Sequence, residues 1–91
     1  MSEFVVKIYG DHNPRFPDFK TEDKQKAIEF FDEDLKNLKP SSIIYLYERR
    51  TDGGVWIAGK ENRAFKTRIL RKVVVSFTGH ESDYSVKYLD I

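Results

Sequence analysis

Six basic residues fall within thirteen positions of the second half of the chain: Lys60, Arg63, Lys66, Arg68, Arg71 and Lys72. The single acid among them is Glu61. If residues 65–78 form a strand, Lys66, Arg68 and Lys72 point to one face, because alternate side chains of a strand lie on the same side, about 6.6–6.8 Å apart. Arg49 and Arg50, at the end of the second predicted strand, could extend this row. We call these eight residues the basic stripe.

A row of cations on a sheet has two chemical uses. It can neutralise several phosphates of a nucleic acid, or it can meet an acidic protein surface. Trp56, Tyr45 and Tyr47 lie on neighbouring predicted strands and could stack on bases if they are exposed. The basic stripe together with Trp56 is therefore the predicted binding site. The alternative is a solvated face whose charges only keep the domain soluble.

The charge is segregated along the chain. Residues 1–40 carry seven Lys/Arg and nine Asp/Glu, residues 41–72 carry eight and three, and residues 73–91 carry one and three. The net charge of +1 therefore conceals a strongly basic central segment between two acidic ones. This segregation is the most unusual feature of the sequence.

The sequence offers little for catalysis. With no Cys, it holds no thiolate metal site and no cysteine nucleophile. The histidines, His12 and His80, fall in separate predicted loops, which makes a poor metal site. His80, Glu81 and Asp83 share one predicted turn with a serine, but a short turn cannot orient a catalytic triad. We therefore predict no enzyme, no catalytic residue, no metal and no cofactor, with a carboxylate-dependent hydrolase or nuclease as the remaining enzymatic alternative.

The first half of the chain predicts a strand followed by a helix. Residues 3–9 alternate Phe4, Val6 and Ile8 with other side chains, as a strand does. The helix begins at Thr21 as its cap, and Pro40 ends it. Its apolar face repeats at spacings of three and four residues through Ile28, Phe31, Leu35 and Leu38.

The second half predicts strands joined by short turns. They cover residues 42–49, 55–58, 65–78 and 84–90, with a hairpin turn at 51–54. The segment 63–72 also has helical spacing, and in that case Lys66, Arg68 and Lys72 would not share a face. The run Val73–Val75 favours a strand.

Together the elements predict a single α+β domain over residues 1–91. Its order is β-α-β-β-β-β, with a four- to five-stranded, mostly antiparallel sheet, the last four strands in a meander, and the helix packed on one face. The longest uncharged run is Ile43–Tyr47, far short of the ~20 residues that a membrane span needs. No export signal is recognisable, so we expect a cytoplasmic protein.

The function predicted from these patterns is a small non-enzymatic binding or regulatory module. Its partner is a polyanion, with nucleic acid favoured. The alternative is a protein–protein interaction module or inhibitor that occludes an acidic or nucleic-acid-binding surface of a partner protein. Pairing of two copies through an edge strand would give a homodimer. No membrane partner is expected.

Overall fold

A computed structural model of the chain describes residues 2–10 and 18–88. The elements are β1 (Ser2–Gly10), β2 (Phe19–Thr21), α1 (Lys24–Lys36), β3 (Ser42–Arg50), β4 (Trp56–Ala58), β5 (Arg63–Phe65), β6 (Thr67–Val75) and β7 (Glu81–Tyr88). They confirm the predicted α+β class and the succession of a strand, a helix and further strands. The short strand β2 was not predicted. The last two residues of the strand predicted at 84–90 lie outside the described residues.

The main sheet has five strands in the order β2-β1-β3-β6-β7, and every neighbouring pair is antiparallel. The predicted meander of four consecutive strands is wrong. Strand β4 does not pair with β3; it pairs with β5 in a separate two-stranded sheet. The predicted strand 65–78 is likewise divided, with Lys66 between β5 and β6. Strand β3 therefore pairs directly with β6, and the β4–β5 hairpin stands as an insertion between them.

The N-terminal cap of the helix is Asp23, two residues after the predicted cap Thr21. The Asp23 carboxylate accepts hydrogen bonds from the backbone N–H groups of Gln25 and Lys26, at 3.0 and 3.3 Å, and so caps α1. Thr21 supports this cap, because its hydroxyl accepts the Asp23 N–H at 3.1 Å. At the other end, α1 stops at Lys36, and Leu38 packs against the core from beyond the helix.

The core lies between α1 and one face of the sheet. Ala27 and Phe31 are the buried residues of the helix. They pack in one cluster with sheet residues Phe4, Val6, Ile44, Leu46, Val73 and Val75. The opposite face, which we call the open face, holds a smaller buried cluster of Val5, Tyr47 and Ile69. The helix thus covers one side of the sheet, and among residues 2–10 and 18–88 no second helix covers the other side.

A β-bulge in β6 reverses the alternation of its side chains. Leu46 pairs with Arg71 while the next residue, Tyr47, pairs with Ile69, so Leu70 is an extra residue with no partner across the ladder. Beyond the bulge, Lys72 is opposite Tyr45 on the open face. Before it, Arg68 is opposite Glu48 on the helix side. The prediction that Lys66, Arg68 and Lys72 share one face is therefore wrong.

Candidate functional site: the open face of the sheet

The members of the basic stripe lie in three different environments. Three of them, Arg50, Arg68 and Arg71, are held in ion pairs with carboxylates. Two of them, Lys60 and Arg63, are exposed on the β4–β5 hairpin. The other three, Arg49, Lys66 and Lys72, have no ion-pair partner among the described residues. The structure therefore does not assemble the stripe as one surface.

The ion pairs tie elements together. Arg68 Nη2 donates to Glu48 Oε1 at 2.7 Å across the β3–β6 ladder. Arg71 bridges two elements, with Nη2 2.9 Å from Asp83 Oδ2 of β7 and Nη1 3.3 Å from Asp32 Oδ1 of α1. These contacts, led by the hydrogen bond that Arg71 donates to Asp83, raise the pKa of Arg71. Both cations have structural partners, which reduces their availability to a ligand.

Trp56 lies between two of these arginines. The Arg68 Cζ is 4.9 Å and the Arg50 Cζ 5.6 Å from the ring, within the range of a cation–π contact. The indole is only partly exposed. Tyr47, the second aromatic proposed for stacking, is 9% exposed, and burial raises the pKa of its phenol. Neither ring is well placed to stack on a base.

The open face carries a row of alternating cations and aromatics. In the ladder, Tyr45 of β3 is opposite Lys7 of β1 and opposite Lys72 of β6, and Lys72 is opposite Tyr84 of β7. We call Lys7, Tyr45, Lys72 and Tyr84 the aromatic–lysine row. The Lys72 ammonium lies 5.6 Å from the centre of the Tyr45 ring and 5.4 Å from that of Tyr84. The side chains therefore form a continuous line across four strands.

Tyr9 extends this row along β1. Its ring meets that of Tyr45 edge to face, with 5.5 Å between centres and an interplanar angle of 89°. The Lys7 ammonium lies 5.0 Å from the centre of the Tyr9 ring. A side-chain hydrogen bond with Tyr9, the largest influence, raises the pKa of Lys7, so this lysine stays charged. Tyr9 and Tyr84 are 42% and 40% exposed, which leaves ring surface for a ligand.

Four of these five residues, Lys7, Tyr9, Tyr45 and Tyr84, were not among the predicted site residues, although Tyr45 was considered for stacking on bases. A signal for two of them was present in β1. Since Phe4, Val6 and Ile8 occupy the core face, Lys7 and Tyr9 must occupy the other face of the same strand. The alternation within β1 does not show which residues of β6 and β7 lie beside Lys7 and Tyr9.

Among residues 2–10 and 18–88, no three His, Asp or Glu side chains gather into a cluster that could hold a metal ion. Within the same residues, no helix has the length and apolar character needed to span a membrane. Comparisons of the chain with models of protein families, with curated proteins and with solved structures found no match.

Proposed function

We propose that this protein is a non-enzymatic binding module that takes single-stranded nucleic acid on its open face. The observation that carries the proposal is the aromatic–lysine row, which presents partly exposed rings and ammonium groups side by side. Bases stack on aromatic side chains while phosphates pair with nearby cations, and this combination binds single strands with little regard to sequence. A single strand is favoured over a duplex because its bases are free to stack.

The charge around the row supports an anionic ligand. Lys72 has no carboxylate partner among the described residues, and Arg49 on the same face is exposed. Lys7 is paired with Asp18 only at 3.7 Å, and its side chain is 29% exposed. Lys7 and Lys72 lie opposite Tyr45 in the ladder, and Arg49 lies four residues further along β3 on the same face. The binding surface proposed from the structure is thus the open face, with Lys72 and Arg49 as the members it shares with the basic stripe.

The test is fluorescence anisotropy with labelled single- and double-stranded DNA and RNA of one length. We expect the single strands to bind more tightly than the duplexes. Affinity should fall as salt rises from about 50 to about 200 mM, because phosphate contacts release counterions. Failure to bind any of the four would overturn the proposal and leave an acidic protein partner, bound by an inhibitor or adaptor, as the function to test by pull-down.

Two variants of the aromatic–lysine row, each with a matched control, test whether the nucleic acid binds to the open face. Tyr84→Ala should weaken single-strand binding about 5- to 150-fold, the range expected for losing one stacked base. Lys72→Gln should reduce the slope of log K against log salt by about 0.7. The matched controls are Phe77→Ala, an aromatic 82% exposed in the β6–β7 turn, and Lys26→Gln, an exposed cation of the helix. Equal losses in controls and row variants would contradict an open-face site.

We also propose that the protein acts in the cytoplasm, where single-stranded RNA is present. Fluorescence imaging of a tagged chain in its own cells tests this placement.

A further inference from the structure

A small basic pocket opens beyond the aromatic–lysine row, where β3 ends. Its volume is about 360 Å³, and it is lined by Glu3, Arg49, Arg50, Thr51, Gly53 and Lys66. Three of the six are cations, and one is a carboxylate. They come from β1, from the end of β3 with its following turn, and from the link between β5 and β6.

The backbone brings these cations together. Arg49 is opposite Glu3 in the β1–β3 ladder, so Arg49 lies on the open face. The Arg50 N–H donates to the Lys66 carbonyl at 3.0 Å, which holds Lys66 beside the end of β3. The pocket is therefore fixed by main-chain contacts between segments that are sixteen residues apart in sequence.

The turn after β3 fixes the Arg50 guanidinium. Nε donates to Asp52 Oδ1 at 3.2 Å, and Nη2 donates to Oδ2 at 3.0 Å. The Gly54 N–H also donates to Asp52 Oδ1, at 2.8 Å. A Cβ at Gly54 would lie 2.5 Å from Arg50 Cζ, so only glycine allows the guanidinium to rest there. The bonds to Asp52 use Nε and Nη2 and leave Nη1 for another acceptor.

The other two cations of the pocket are Arg49 and Lys66. Arg49 and Lys66 are exposed, and neither has a carboxylate partner among the described residues. Among the described residues that line the pocket, Glu3 is the one carboxylate, and Asp52 in the following turn is paired with Arg50. Arginine and lysine residues that line one small concave site suit a compact oxyanion with several acceptors, and a phosphate group has that chemistry.

We propose that this pocket binds a phosphate group. The source of the phosphate rests on the function proposed above: it belongs to the strand that lies on the open face. Arg49 follows Tyr45 by four residues on the same face of β3, about 13 Å along the strand. A chain stacked on the tyrosines can therefore reach the pocket with a terminal or backbone phosphate. The pocket would then mark the end of the surface that the bound strand occupies.

The first experiment uses inorganic phosphate and the full chain. Backbone amide shifts of the ¹⁵N-labelled protein are followed in a titration with potassium phosphate and, at equal ionic strength, with potassium chloride. We expect saturable shifts at residues 49–54 and 66 with phosphate only. Absence of saturable shifts, or the same shifts with chloride, would overturn the proposal.

Substitutions test which residues form the phosphate site. Arg49→Gln and Lys66→Gln should each weaken phosphate binding about tenfold, as expected for loss of one charge-assisted hydrogen bond. Lys60→Gln is the matched control, because Lys60 is an exposed cation of the neighbouring β4–β5 turn outside the pocket. An equal loss in Lys60→Gln would mean general charge attraction and would contradict a site.

Oligonucleotides separate this proposal from the preceding one. One single-stranded sequence is measured with a 5′-phosphate, with a 3′-phosphate and with two hydroxyl ends. A preference for one phosphorylated end that Lys66→Gln abolishes supports a terminal phosphate, whereas an equal loss for all three supports a backbone phosphate. If Tyr84→Ala weakens binding but Lys66→Gln does not, the pocket proposal fails while the open face stands. If inorganic phosphate binds but no oligonucleotide does, the open-face function fails while the pocket stands.

Discussion

At the scale of single residues, the arginines and the lysines of this protein have different roles. Arg68 and Arg71 have planar guanidinium groups that meet carboxylates of neighbouring strands, with Nη2 to carboxylate distances of 2.7 and 2.9 Å. Such directional, charge-assisted bonds suit arginine better than the single ammonium of lysine. Lys72 is set instead between two tyrosine rings. In the basic segment, these arginines therefore stabilise the fold, whereas this lysine lies on the surface.

Arg68→Gln tests this division. Glu48, whose side chain is 14% exposed, would lose its cation, and we expect the free energy of unfolding to fall by about 1–3 kcal/mol. Urea denaturation followed by circular dichroism measures it, with Lys60→Gln as the exposed control. Single-strand affinity should remain near that of the unchanged protein. A loss of affinity in Arg68→Gln as large as in Lys72→Gln, with unchanged stability, would favour the basic stripe as first predicted.

At the scale of elements, the bulge at Leu70 decides which side chains of β6 share a face of the sheet. A β6 strand without the bulge would keep one alternation from Thr67 to Val75, with Arg68 and Lys72 on one face. The extra residue separates them. It also turns Leu70 and Arg71 toward the helix side, where Leu70 packs on the core and Arg71 lies 5.0 Å from the Phe31 ring.

Phe31→Ala tests the packing of the helix on this sheet. Phe31 is 1% exposed in the centre of the main cluster, so the substitution should lower the free energy of unfolding by about 3–5 kcal/mol. Thermal and urea denaturation give the change. Phe77→Ala, at 82% exposure, is the control and should have little effect. Similar stability of the two variants would mean that α1 presents a different face to the sheet.

Asp52→Asn tests the turn after β3. Hydrogen bonds from Arg50, followed by other donors including the Gly54 N–H, hold the Asp52 pKa well below its ordinary value of 3.8. The folded state then binds fewer protons than the unfolded state as pH falls below the unfolded pKa, so this contribution to stability is present above that pKa and is lost in acid. Urea denaturation between about pH 5 and pH 2 should show a smaller loss of stability in Asp52→Asn. Identical pH profiles would assign the acid dependence to other carboxylates.

At the scale of the whole molecule, tertiary pairing offsets the segregation of charge along the chain. The central segment 41–72 is basic. The carboxylates that pair with Arg71 come from the acidic segments on either side: Asp32 of α1 and Asp83 of β7. After this pairing, the cations on the open face include Lys7, Lys20, Arg49 and Lys72. The partner that the whole molecule attracts is therefore decided by which charges remain after folding.

Association through an edge strand stays a prediction. The outer strands of the main sheet are β2, three residues long, and β7, eight residues long. Pairing of two copies through β7 should give a dimer with twice the 10.7 kDa mass of the chain. The fraction of dimer should rise with protein concentration. Size exclusion with light scattering at two concentrations measures this. A mass of 10.7 kDa at both concentrations would exclude such a dimer.

The sequence by itself determined the local features. The alternation in residues 3–9 and 42–49 predicted β1 and β3, and the spacing of Ile28, Phe31 and Leu35 predicted the apolar face of α1. These features follow from the periods of a strand and a helix, which each segment carries in its own residues. The fold class followed from the order of these elements. For the site, Arg49 and Lys72 were predicted as cations available to a ligand.

Only the tertiary structure decided which of the predicted residues meet. The bulge at Leu70 depends on the register between β3 and β6, and the pairing of Arg71 depends on acids 39 residues before it and 12 after it. The aromatic–lysine row likewise needs four strands in one register. A shift of one residue in a strand moves every side chain to the other face, and no single segment contains the information that sets this register. The local periods therefore determined the elements, while the contacts between distant strands determined the surface.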